Sequence, residues 1–531
     1  MCGSDRIEVY DTTLRDGSQG EGVAFSVSDK LEILERLDEI GFDFVEGGWP
    51  GSNPKDGEFF EEAKGMSLKR SRLAAFGMTR RAGSSADADP VLAELLATGV
   101  GVVTIFGKTW DLHVKEALRT EGPENLAMIE DSVAFIVSRG REVVFDAEHF
   151  FDGWKSDASY ALDCLRAAAR GGAERIVLCD TNGGSLPGQI ERATRAAQEA
   201  MGDVRLGIHT HNDGGLAVAN ALAGIEAGCR HVQGTLNGFG ERSGNADLCV
   251  LIPALQLKLG YDVLAPEALS HLTELSRFAY EIAMLPPRDF QPYVGRSAFA
   301  HKGGVHVSAV RRNPETYEHV PPDSVGNERR VLVSELSGRS TILAKTNGSA
   351  PDADSMQLIL ERIQDLEHAG YQFEAAEASF EVLSRKILGT HKPFFKLEGF
   401  RVISELDENA ADRTEATIKL SVDGDEEHTA AEGNGPVNAL DGALKKALVP
   451  FYAGLADVQL TNYKVRIVNP LASTAARVLV LIESRDSRDR WATVGVSENI
   501  IEASWIALVD SVEYKLFKDG IQAPAAHAPG N

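Results

Sequence analysis

Asp11-Thr-Thr-Leu-Arg-Asp-Gly-Ser-Gln-Gly-Glu-Gly22 follows a short apolar run, Ile7-Glu-Val-Tyr10, and precedes Ser26-Val-Ser-Asp-Lys-Leu-Glu-Ile-Leu-Glu-Arg-Leu-Asp-Glu-Ile40. The run before it reads as a strand. The run after it reads as a helix opened by a capping serine and stopped by Gly41. The quoted stretch is then a loop that sets a guanidinium, Arg15, beside a carboxylate, Asp16, where a strand ends. Taken alone, such a pair is a structural ion pair. What shifts the reading toward a site is that polar residues recur at the same place in unit after unit.

The chain up to about residue 260 alternates strand-like and helix-like patterns. Strands are expected at 7–14, 42–46, 72–76, 100–106, 142–148, 175–180, 205–210 and 231–236. Helical stretches at 90–98, 124–138, 157–170, 186–201, 215–227 and 246–259 lie between them, commonly closed by glycines. Eight strand–helix units in this length predict an α/β fold, a (β/α)8 TIM barrel. A doubly wound open sheet is the alternative, but the first turn lacks GxGxxG. The strand ends carry Asp11, Arg15 and Asp16; Glu46; Asp146 and Glu148; Asp180 and Thr181; His209, His211, Asn212 and Asp213; and Asn237, Glu241, Arg242 and Asn245. In a barrel all of these ring one mouth, the face that carries chemistry.

Past the barrel, residues 276–389 read as helical linker subdomains, with a loop at 346–355 and a helix at 356–369. Residues 390–520 read as a C-terminal α+β domain. Its strands are expected at 416–422, 459–468, 476–483 and 490–496 and its helices at 436–448 and 498–515, an arrangement that suggests an internal duplication. Residues 521–531 read as a disordered tail. The first domain is set at 1–275.

Composition narrows the function. The hydrophobic share of 43% and charged share of 25% are those of a globular chain. No apolar run approaches the roughly 20 residues of a membrane span, and the start lacks a signal peptide. Five scattered cysteines without a CxxC pair suit a reducing cytoplasm and argue against a thiolate zinc site. A net charge of −25 disfavours nucleic acid and anionic membranes as partners, and it requires a local cation for any anionic substrate.

His209-Thr-His211 is the strongest single motif. Residues i and i+2 of a strand point the same way, so both imidazoles face inward. They are either a hydrogen-bonded pair or, with Asp16 as carboxylate and Asn245 at a neighbouring strand end, a site for Zn, Mn, Mg or Co. Arg15 holds a substrate carboxylate or steadies an oxyanion, or it pairs with Glu46 or Asp11. On the fifth strand either Glu148 or Asp146 is a general base, its pKa raised by burial; Asp146 suits a supporting hydrogen bond better. Thr181 offers a hydroxyl to a small carboxylate or simply caps a helix.

Asp11-Thr-Thr-Leu-Arg-Asp-Gly-Ser-Gln19, His209-Thr-His-Asn-Asp213 and Gly238-Phe-Gly-Glu-Arg-Ser-Gly-Asn245 resemble the 2-isopropylmalate, homocitrate and citramalate synthase family of metal-dependent barrels. Ala298–His306 is similar to the segment with that family's catalytic His, and Asn313–Tyr317 to the one with its Tyr. Glu46–Lys55, Asp146–Asp152 and Thr235–Gly240 most resemble its long-form citramalate branch, although Asp146-Ala-Glu148 departs from the commoner family pattern. The resemblance implies Asp16, His209, His211 and Asn245 as metal ligands. It implies Arg15, Glu148, His306 and Tyr317 as catalytic residues, and Arg15, Gln19 and Thr181 as substrate contacts. It further implies a divalent metal, acetyl-CoA as co-substrate, pyruvate as acceptor, a homodimer and a branched-chain amino-acid effector, isoleucine foremost. The rivals are a larger keto acid, as in 2-isopropylmalate synthases, and an amino-acid sensor on an inactive barrel. A lyase of the hydroxymethylglutaryl-CoA type, which resembles this barrel, would carry a cysteine in the loop 238–245, and none is there.

Overall fold

The computed structural model describes residues 6–331, 353–405, 413–468 and 476–524. These form two compact units, one of residues up to 299 with 319–329 and the other of 300–318 with the chain from 330 onward.

The first unit is the expected barrel. Strands β1 (Glu8–Asp11), β2 (Phe44–Gly48), β3 (Arg72–Met78), β4 (Val102–Lys108), β5 (Glu142–Glu148), β6 (Arg175–Asp180), β7 (Arg205–Thr210) and β8 (His231–Gly234) run parallel in sequence order. β8 returns to β1 with Glu8 opposite His231 and Asp11 opposite Gly234. The first helix, Val27–Ile40, is opened by a capping box between Ser26 and Asp29 and ended by Gly41 at φ 96°, a left-handed turn that glycine takes without strain. Between strands and outer helices lies the main core, which includes Ile33, Leu37, Val103, Ile176 and Ile208. Inside the barrel Tyr10, Phe44, Val102, Val144 and Val177 form a second, smaller core. The N-terminal end is sealed by charge: Arg175 pairs with Glu8 at 2.6 Å and with Glu142, and Arg205 with Glu8 at 2.5 Å. The interior is therefore filled, and only the C-terminal mouth is left for a site.

The second unit opens with a two-residue ladder of β9 (Ala300–His301) and β10 (Arg330–Val331). Of the expected loop at 346–355, residues 346–352 lie outside the described residues, and 353–355 already belong to the helix Ala353–His368. That helix and Glu377–Ile387 share a small core with Leu479 and Val494. β11 (Lys396–Glu405), β12 (Arg413–Val422) and β13 (Asp425–Gly433) form an antiparallel sheet followed by the helix Pro436–Leu448. β14 (Gln459–Ile467), β15 (Val478–Arg485) and β16 (Arg490–Ser497) form another, followed by Ile500–Lys518. The duplicated unit is thus three strands and a helix, twice. The sequence reading found only one strand of the first copy. A register shift between Leu397 and Gly399 breaks the alternation of β11, and β13 is largely polar and exposed. Of the expected tail, residues 525–531 lie outside the described residues.

Candidate active site

Each proposed barrel residue sits where a strand gives way to its loop. The turn after β1 is tight: the carbonyl of Thr12 accepts from the backbone N–H groups of Arg15, Asp16 and Gly17. Asp11 is consumed in this turn. Its carboxylate accepts from Thr13 N–H at 2.9 Å and Thr13 Oγ1 at 2.8 Å, and burial pushes its pKa up to about 7.

Asp16, His209 and His211 each bring one ligand atom to within 4.8 Å of the others. His209 Nε2 lies 3.3 Å from Asp16 Oδ2 and 3.3 Å from His211 Nε2. Gln233 sets this orientation: its Oε1 accepts from His209 Nδ1 at 2.8 Å while its Nε2 donates to Asp146 Oδ1 at 3.0 Å. Burial works against the charge on Asp16, yet Arg15 and the two histidines overcome it and hold the carboxyl well below the usual carboxylate range. Burial and His209 push His211 down to about 4, which leaves its ring neutral. Asn245 is tied to His211 by a backbone bridge, and its buried Oδ1 has no hydrogen-bond partner among the described residues. Gly240 makes room for it: at φ 149°, a Cβ there would stand 2.1 Å from Asn245 Nδ2. Burial works against a charge on His209, yet Asp16 and Asp146 together raise its pKa above the ordinary value. Two imidazoles, one ionised carboxylate and a buried amide oxygen without a partner are a donor set that fits a divalent cation.

Arg15 pairs with Glu46, one of the two partners expected for it. Its Nε donates to Glu46 Oε1 at 2.5 Å, Nη1 lies 3.5 Å from Asp16 Oδ2, and the guanidinium stacks 3.7 Å over Phe76. Glu46 is fully buried and also accepts from Tyr10 Oη at 2.7 Å. The ion pair fixes the plane of the guanidinium, and its Nη groups donate no hydrogen bond among the described residues.

The two carboxylates of β5 part ways. Asp146 is buried, and burial together with Glu46 pushes it up to about 7. Glu148 forms an ion pair with Lys108, its register partner on β4. Thr181 Oγ1 accepts from the N–H of His149 at 2.9 Å, so its own hydrogen is directed elsewhere. Gln19 is exposed on the turn Gly17–Gln19. His306 and Tyr317 lie in the second unit and stack on each other, with ring centroids 4.2 Å apart. The sequence reading missed Gln233 and Lys108. Both lie on strands at inward positions, but neither belongs to a recognisable motif.

A closed parallel barrel with two imidazoles and a carboxylate at its C-terminal mouth defines a metal-dependent (β/α)8 enzyme. The family model described as HMGL-like matches residues 6–278. The homocitrate synthase post-HMGL domain-like model matches 293–370, and the LeuA allosteric (dimerisation) domain 374–516. The chain is 53% identical to the (R)-citramalate synthase of Aquifex aeolicus, over 97% of this chain and 99% of that one. It is 54% identical to the (R)-citramalate synthase of Geobacter sulfurreducens, over 96% and 98%. A probable 2-isopropylmalate synthase of Methanopyrus kandleri is 33% identical over 96% and 98%. The chain belongs to the HMGL-like family, in the branch whose relatives carry the name (R)-citramalate synthase.

Proposed function

We propose that this chain condenses acetyl-CoA with pyruvate and hydrolyses the resulting thioester, releasing (R)-citramalate for isoleucine biosynthesis. The observation that carries the reading is the meeting of Asp16, His209, His211 and Arg15 at one barrel mouth, in a chain whose full-length relatives at 53–54% identity are named (R)-citramalate synthase.

Asp16, His209, His211 and Asn245 would hold the divalent metal, drawn from Zn, Mn, Mg and Co. When bound, such an ion polarises a ketone as a Lewis acid. Arg15, clamped by Glu46, opposes the charge that develops on the former keto oxygen and grips the keto-acid carboxylate. Thr181 donates its hydroxyl hydrogen to that carboxylate, and Gln19 borders the same loop. Glu148 takes the methyl proton of acetyl-CoA, with Lys108 neutralising it between turnovers. Proton-handling roles for His306 and Tyr317 follow from the family resemblance of the segments that carry them. The match to a LeuA allosteric (dimerisation) domain supports a homodimer with feedback by a branched-chain amino acid, isoleucine first. Cys164, Cys179, Cys229 and Cys249 are free and buried, and no described helix is long and apolar enough to cross a membrane, which suits the cytoplasm.

Thiol release from acetyl-CoA across a panel of keto acids tests the reading. Pyruvate is expected to give the highest kcat/KM. An added methyl group shifts such preferences by only about 1–3 kcal/mol, so weaker turnover of 2-ketobutyrate is expected. A preference for 2-ketoisovalerate would make the chain a 2-isopropylmalate synthase, the activity named for its relative at 33% identity. No release with any keto acid would leave an amino-acid sensor on an inactive barrel.

A further inference from the structure

Immediately after Glu148 the chain takes an unusual step. His149 is buried and stands at φ 60°, in the left-handed region that few residues other than glycine adopt. Its N–H is held by Thr181 Oγ1 at 2.9 Å and its carbonyl by the N–H of Gly153. Its Nδ1 lies 3.3 Å from Asp152 Oδ2, and Asn182 Nδ2 donates to the same Asp152 oxygen at 2.9 Å. Burial would raise the Asp152 carboxyl, but His149 and Lys155 hold it below its ordinary value, so it is ionised at neutral pH. One face of the His149 ring is covered by His113, centroids 4.1 Å apart, and Trp110 lies against both. Nε2 makes no hydrogen bond among the described residues.

A carboxylate on Nδ1, an anchored backbone and an uncommitted Nε2 are the parts of an oriented imidazole base. The condensation reading leaves a place for one. Carbon–carbon bond formation leaves an alkoxide that must be protonated, and Glu148, holding the methyl proton, is committed to that transfer; activation of water is a separate proton transfer. The second half of the reaction needs a base for water, and His149 directly follows Glu148 at the end of β5.

We infer that His149, oriented by Asp152, is the base that activates water for hydrolysis of the citramalyl thioester. Nε2 takes a proton from water as the water oxygen bonds to the thioester carbonyl carbon. The carbon–sulfur bond then breaks, the sulfur leaves as thiolate, and the imidazolium returns the proton to it. Thioester and water become carboxylic acid and thiol, with nothing oxidised or reduced. The assignment rests on the condensation reading above.

The test uses the full-length protein and His149→Asn, because asparagine tolerates the left-handed backbone. Purified citramalyl-CoA is supplied directly, and deuterium wash-in to the acetyl-CoA methyl group is measured separately. His149→Asn is expected to slow hydrolysis of citramalyl-CoA roughly 10²–10⁴-fold, the scale of general base catalysis. It should keep methyl exchange, and acid-quenched reactions with pyruvate should contain citramalyl-CoA. Asp152→Asn should slow the same step by about 10-fold and spare exchange, and it carries the test alone if His149→Asn does not fold. Hydrolysis at the wild-type rate in the variants, or equal loss of exchange and hydrolysis, overturns the inference. Wild-type protein that releases no thiol with any keto acid sinks the condensation reading instead, so the two failures are distinct.

Discussion

Gln233 carries no charge and ligates nothing, yet it decides which nitrogen of His209 faces Asp16. Its amide accepts from Nδ1 and donates to Asp146, so it fixes both the ring plane and the tautomer. Gln233→Leu should weaken divalent-metal binding about 10–100-fold, the usual cost of removing such a partner, with the barrel still folded. Competition against a chelator reads the change, and unaltered affinity would show that the barrel orients His209 without it. Asp16→Ala removes the one carboxylate of the cluster and should abolish metal-dependent turnover while leaving the thermal transition in place. Activity that survives both this substitution and exhaustive chelation would end the metal reading. The sequence exposed His209, His211 and Asp16 because their chemistry and spacing are uncommon at strand ends. It could not expose Gln233 or Lys108. Their roles arise only when the barrel closes and sets β8 beside β7 and β4 beside β5. The ion pair of Arg15 with Glu46 was legible in the sequence, and it fixes the plane of the guanidinium.

At the scale of elements, each barrel strand was legible to within a few residues, because apolar runs ended by polar loops and glycines repeat with little ambiguity. The second unit was harder. Its sheets are solvated on one side, so β13 is largely polar and a bulge interrupts β11. What holds the last helix, Ile500–Lys518, to its sheet is also hidden in sequence. Lys515 Nζ lies 2.7 Å from Asp486 Oδ2 in the turn between β15 and β16, with both side chains nearly inaccessible. Asp486 accepts further from the N–H groups of Arg488 and Asp489. Burial would raise this carboxyl, but Lys515 and the two N–H groups bring it well below the carboxylate range. A depressed carboxylate stabilises the fold above its unfolded pKa of about 4, and the contribution is lost as pH falls through the folded value. Lys515→Met removes the cationic partner and leaves Asp486 its two N–H donors, and should cost about 1.5–3 kcal/mol at pH 7. Asp486→Asn should lower stability at neutral pH and flatten the decline in Tm below about pH 4. Thermal melts from pH 2.5 to 7 follow both, and parallel wild-type and Asp486→Asn curves would show that the pair contributes nothing.

At the scale of the whole molecule, the second unit offers no group of His, Cys, Asp and Glu suited to a metal among its described residues, and its repeated three-strand-and-helix units enclose an ordinary apolar core. A duplicated fold that matches an allosteric (dimerisation) domain is suited to bind an end product and to alter the barrel's activity. Binding alone does not inhibit; the amino acid must prefer an inactive arrangement over the active one. A tenfold loss of activity at saturation requires about 1.4 kcal/mol of that preference. Selectivity between isoleucine and leucine must come from shape, and a pocket distinguishes such isomers by about 1–3 kcal/mol. Leu440, near the start of Pro436–Leu448, is fully buried in the core. Full-length protein titrated with isoleucine, leucine and valine at subsaturating acetyl-CoA should be inhibited at roughly 10-fold lower isoleucine than leucine concentration. Sedimentation in the same buffers separates inhibition within an intact dimer from inhibition by dissociation. Greater sensitivity to leucine would reassign the end product and weaken the case for pyruvate as acceptor. Indifference to all three amino acids would reduce the repeat to an oligomerisation module, since no differential affinity would remain through which an effector could act.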